Sequence, residues 1–143
     1  LAPKGRLIDS QGLVLPPRND PRFWFMPIIT GVKDAGELQI GAILDDELAQ
    51  GALKLLELTS TESYGKFLDI NLIQLDYSGQ SLKVFLRERP PFREGACVIL
   101  PASERQMKAA LNRVTVIAKE RLRGRQTTGF IDATYEVNIP TRP

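Results

Sequence analysis

Residues 66–100, KFLDINLIQLDYSGQSLKVFLRERPPFREGACVIL, hold three β-strands in succession and decide the fold class. Within Ser81–Glu88, Leu82, Val84 and Leu86 alternate with Lys83, Phe85 and Arg87, the period of a strand with one buried face. In the preceding Lys66–Tyr77, Leu68, Ile70 and Leu72 share one phase while Ile73, Leu75 and Tyr77 share the other. A phase change inside one strand predicts a β-bulge, or cover on both faces. Ser78-Gly79-Gln80 supplies the turn between these two strands, and Pro90-Pro91 ends the second. Ala96–Leu100 is a wholly apolar run, expected to be central in the sheet.

A helix is expected on either side of this block. The first runs from Asp45 or Asp46 to about Leu58, with Leu48, Ala52, Leu55 and Leu56 on one stripe. Its acidic start suits the positive end of the helix dipole. Gly51 in its interior costs about 1 kcal/mol relative to alanine, and the cluster Thr59–Ser63 stops it. The second helix spans about Ser103 to Leu122 on a stripe of Met107, Ala110, Leu111, Val114, Ile117 or Ala118, and Leu122. Ser103 is placed to cap its start and Gly124 to close it in the left-handed conformation.

Toward the N-terminus, Gly5–Leu15 reads as a hairpin turning at Asp9–Gly12 and ended by Pro16-Pro17. Arg18–Arg22 is a polar loop, Phe23–Ile29 an apolar stretch in which Trp24 reads as core packing, and Thr30–Ile40 a further loop. Toward the C-terminus, Ile131, Ala133, Tyr135, Val137 and Ile139 alternate with Asp132, Thr134, Glu136 and Asn138, one strand closed by Pro140. The expected fold is therefore α+β: one domain over residues 1–143, a mostly antiparallel β-sheet with two main helices packed on it.

Composition narrows the function. The chain has 143 residues, 43% of them hydrophobic and 25% charged, which suits a globular domain. A net charge of +2 argues against nucleic acid as the main partner. Histidine is absent and there is one cysteine, Cys97, which excludes the common general base and the usual zinc ligand sets. No Gly-x-Ser-x-Gly elbow and no phosphate-binding glycine loop occurs. An enzyme is not expected, nor any catalytic residue, metal site or cofactor. The segment Lys119–Arg125 has four basic residues in seven, open to two readings: a solvated helix end or a contact with an anionic partner.

The C-terminal strand carries the functional expectation. A terminal strand is often an edge strand, and no lysine or proline interrupts Ile131–Ile139, so its unpaired N–H and C=O groups invite addition of a partner strand.

The order of these segments resembles the β domain of the bacterial division proteins of the FtsQ or DivIB family. Leu7–Leu15 (LIDSQGLVL) resembles its opening hairpin, Leu-Val-Asp-x-x-Gly-x-Val, and Met26–Gly31 (MPIITG) its Leu-Pro-x-Ile-x-Gly turn. Ile70–Glu88 followed by Ala96–Pro101 is similar to its hairpin and Val-x-Leu-Gly strand, with Pro101 in place of the glycine. Ile131-Asp132-Ala133-Thr134-Tyr135 stands where the family has Ile-Asp-Leu-Arg-Tyr, with Ala133 and Thr134 as departures. The resemblance implies a non-catalytic divisome scaffold binding FtsB-like and FtsL-like partners, FtsB by strand addition. The residues it implies for partner binding are Asp132, Thr134, Tyr135, Glu136, Val137 and Asn138, with Arg121 or Arg125 in place of the family's arginine. It further implies a single-pass inner-membrane protein with this domain in the periplasm. A chain that starts at Leu1 is then expected to be a fragment lacking the transmembrane anchor and the POTRA domain. An envelope assembly or secretion-system adaptor of similar architecture is the alternative.

Overall fold

The computed structural model describes residues 6–18, 20–23, 25–33, 35–134 and 141–142. Its strands are β1 (Leu7–Ile8), β2 (Val14–Leu15), β3 (Ile28–Thr30), β4 (Ile70–Asp76), β5 (Ser81–Leu86), β6 (Phe92–Pro101), β7 (Thr128–Asp132) and β8 (Thr141–Arg142). Its helices are α1 (Glu47–Thr59), the single turn α2 (Glu62–Gly65) and α3 (Glu104–Arg123).

The N-terminal hairpin forms as expected, a two-stranded sheet pairing Leu7 with Leu15 and Ile8 with Val14. Asp9 holds its turn, accepting from the backbone N–H of Gln11 and of Leu13, each at 2.9 Å. Gly12 closes it at φ 92°, where a Cβ would come within 2.8 Å of the Leu44 carbonyl oxygen. The Leu44 N–H donates to the Gly12 carbonyl at 2.8 Å, so the hairpin docks on the segment that enters α1.

The main sheet has six strands in the order β3-β4-β5-β6-β7-β8. The fold is α+β, and the sheet is mixed: three of its five pairings are antiparallel, while β3–β4 and β6–β7 are parallel. Each parallel pair has a helix in its connection, α1 in one and α3 in the other, and a helical crossover returns the chain to the end it started from. The three-residue β3 is too short for its period to be legible in the sequence. The expected bulge is present, as a register shift between Ile70 and Leu72 on β4. β6 lies between β5 and β7, as the apolar run predicts, and extends back to Phe92.

The helices bury their stripes against one sheet face. Leu48, Ala52 and Leu55 of α1 and Met107, Ala110, Leu111, Val114 and Ala118 of α3 join Ile73, Leu82, Val84, Leu86, Val98, Leu100 and Ile131 in one core. Each fully buried aliphatic side chain contributes about 1.5–3 kcal/mol. On the other face Leu72, Phe85, Cys97 and Phe130 fall in one cross-strand row, each half-buried.

The helix ends depart from expectation at two points. Asp46 caps α1, accepting from the Ala49 N–H at 3.0 Å, but the Ser103 hydroxyl makes no capping bond and donates instead to Gln106 Oε1 at 3.1 Å. Gly124 sits at φ −83°; the left-handed residue is Arg125, at φ 54°. Trp24, expected in the core, lies outside the described residues.

Candidate functional site

The C-terminal strand corrects the sequence reading. β7 ends at Asp132, and Ala133 and Thr134 turn away from the strand direction. The cause is local: Asp132 Oδ1 accepts from the Thr134 N–H at 3.1 Å and from its hydroxyl at 2.5 Å. An aspartate carboxylate that satisfies the N–H two residues ahead replaces a ladder bond with a turn. The alternation over Ile131–Ile139 therefore does not form one strand.

Nor is β7 the margin of the sheet. Val98 and Ile99 of β6 pair with Ile131 and Asp132 on one side, while Thr141 and Arg142 of β8 pair with Ile131 and Phe130 on the other. Strand addition to β7 at these positions is excluded because its backbone groups already have partners. Among the described residues the six-stranded sheet has two margins, β3 and β8, and β8 is the one beside β7. Proline at position 140 read as a stop in the sequence, yet Thr141, the next residue, is paired.

The turn after β7 is anchored from two directions. The Ala133 N–H donates to the Ile99 carbonyl at 2.9 Å, and its carbonyl accepts from Arg113 Nη2 at 3.0 Å. Ala133 is fully buried, so the arginine of α3 satisfies an acceptor that water cannot reach. Arg113 Nε is itself buried, without a partner among the described residues. The sequence reading missed Arg113. Its signal was its place on the flank of the α3 stripe, three residues after Ala110 and four before Ile117.

Asp132 and Thr134 are thus brought together, the first half-buried and the second exposed. Tyr135, Glu136, Val137 and Asn138 lie outside the described residues. Arg121 and Arg125 are not near Thr134. They precede β7 and Thr134 follows it, so they sit at opposite ends of a strand about 13 Å long at roughly 3.3 Å per residue. Arg121 Nη1 donates to Gln126 Oε1 at 3.5 Å, and Arg125 is exposed.

Cys97 lies beside this strand, its Cα opposite Phe130. Burial pushes its thiol above the ordinary value; nearby Lys83 lowers it and Asp132 raises it. It therefore stays protonated, the poorly nucleophilic form. Among the described residues no group of three or more histidine, cysteine, aspartate or glutamate side chains is placed to hold a metal ion, and no helix is long and apolar enough to cross a membrane. An open depression of about 330 Å³ lies between α1 and α2, lined by Ser60, Thr61, Lys66 and Arg89. Its Arg89 is already engaged, donating to the carbonyls of Gly65 and Leu68 at 3.2 Å each.

No family model matches the chain, and none of the curated proteins matches it.

Proposed function

We propose that this chain is a division-scaffold domain of the FtsQ or DivIB kind, acting outside the cytoplasm and without catalysis. It binds FtsB-like partners, and through them FtsL-like ones, by strand addition. The receiving strand is β8 instead of β7. One observation carries this reading: β8 pairs with β7 on one side and has no described strand on the other. An open edge of this kind is a template for a visiting strand, whose main-chain hydrogen bonds supply affinity. The resemblance of the ordered segments from Leu7 to Tyr135 supplies the partner class.

The test uses a peptide covering the segment after the coiled coil of the FtsB-like protein from the same organism, with binding followed by calorimetry. Thr141→Pro and Arg142→Pro are made separately. In an antiparallel pair, neighbouring residues point their N–H groups to opposite sides. One proline therefore removes an outward N–H and the other an N–H facing β7. The expected result is that one variant loses binding and keeps its melting temperature, while the other melts lower. Undiminished binding by both variants would exclude β8 as the receiving strand, and absence of binding by the parent chain would exclude the partner class.

A further inference from the structure

The chain's charge is unevenly placed. Residues 119–125 hold four of its 19 basic residues and one of its 17 acidic residues. That segment carries +3, and the rest of the chain together −1, against a total of +2. The structure gathers these charges at one tip, where α3 ends and the chain turns toward β7. Lys119, Arg123 and Arg125 are exposed and make no ion pair among the described residues. Between them Leu122 is 46% exposed, and one turn or more back on the same helix Val116 is 55% exposed.

The helix dipole favours cations in the last turn, which accounts for Arg121 and Arg123. It does not account for Arg125, which lies beyond the helix end, or for an uncovered leucine among the charges. Lys119 falls between Val116 and Leu122 at three-residue spacing, so the two aliphatic side chains flank a cation on one surface of α3.

We infer that this tip docks on an anionic phospholipid surface. The basic side chains meet lipid phosphates and Leu122 enters the headgroup layer, a combination of charge and apolar contact that suits a membrane interface. The contact is weak and reversible, because a few charges and one leucine fall short of a stable anchor.

The whole chain is spun down with vesicles of phosphatidylcholine alone and with vesicles of phosphatidylcholine and phosphatidylglycerol in equal parts, at low and at high salt. Sedimentation is expected with the anionic vesicles only, and salt releases it. The double variant Lys119→Gln/Arg123→Gln is expected to partition about thirtyfold less, with its melting temperature kept. Arg105→Gln/Lys108→Gln, the same charge change near the start of α3, is expected to partition within about threefold of the parent chain. No sedimentation with anionic vesicles overturns the proposal, as does an equal loss in both double variants, which would mark general charge attraction. Binding to an acidic protein without binding to the vesicles overturns it as well.

Discussion

Thr134 donates twice to the Asp132 carboxylate, from its N–H and from its hydroxyl, and this pair bends the chain out of β7. Asp132→Ala removes both bonds at a partly exposed site and is expected to lower stability by about 1 kcal/mol. Asp132→Asn keeps an acceptor oxygen and should lose less. Urea unfolding measures both. An alanine variant as stable as the parent would mean the turn is held from elsewhere.

Arg113 is the second support of the same turn. Arg113→Met keeps much of the aliphatic stem but leaves the buried Ala133 carbonyl without its donor. A buried acceptor left unmade costs about 1–3 kcal/mol. The gain from removing the unpartnered Nε offsets part of this, so a loss of about 1–2 kcal/mol is expected. Urea midpoints should shift without a change in slope, and amide exchange at Ile131 should quicken if β7 and β8 loosen together.

These two residues also mark where the sequence was legible and where it was not. Period-2 alternation located β5, an unbroken apolar run located β6, and the opposed phases of Leu72 and Ile73 announced the β4 bulge; the α1 and α3 stripes are buried as read except at Leu56, which is half-buried, and Leu122, which is exposed. Alternation failed at Ile131–Ile139 because hydropathy is blind to side-chain-to-backbone bonding: an aspartate in a strand and an aspartate starting a turn look alike. The edge was misplaced for the same reason, since β8 has two residues and no period. Parallel pairing of β3 was hidden because three residues cannot show a pattern, although the helix before β4 allowed it. The Arg113 contact joins positions twenty residues apart, a juxtaposition only the crossover creates.

Acid should destabilise the domain through carboxylates held below their ordinary values, Asp76 and Glu104 among them. Asp76 is held below the ordinary value by the Ser78 hydroxyl and then by the Gly79 N–H, and Glu104 by Lys108 and then Lys54. A depressed folded-state value means the unfolded chain binds protons first as pH falls. The stabilisation is complete above the unfolded-state value and is lost as pH drops through the folded one. Thermal midpoints are expected to be flat above about pH 5 and to fall below it. Asp76→Asn/Glu104→Gln should melt lower at neutral pH with a shallower acid decline. An unchanged acid slope would show that other carboxylates govern it.

Gly51 gives the sharpest test, because two principles assign it opposite signs. Glycine inside a helix is worth about 1 kcal/mol less than alanine, so Gly51→Ala should stabilise α1 on propensity alone. The structure places Gly51 against the segment that joins β6 to α3. A Cβ there would stand 2.7 Å from the Ala102 carbonyl oxygen and 3.1 Å from the Ala102 Cβ. The first obstacle is backbone, at the end of β6, and cannot rotate aside as a side chain would. Relief requires α1 to shift away from the sheet, loosening Leu48, Ala52 and Leu55, which are buried on that face. Overpacking of this kind costs about 1–3 kcal/mol, which meets or exceeds the propensity gain. The expected outcome is a net loss of stability in thermal and urea unfolding. Gly36→Ala serves as the contrast, since a Cβ there meets nothing within 4 Å, and it should melt near the parent. A stabilised Gly51→Ala would mean that α1 stands farther from Ala102 than described.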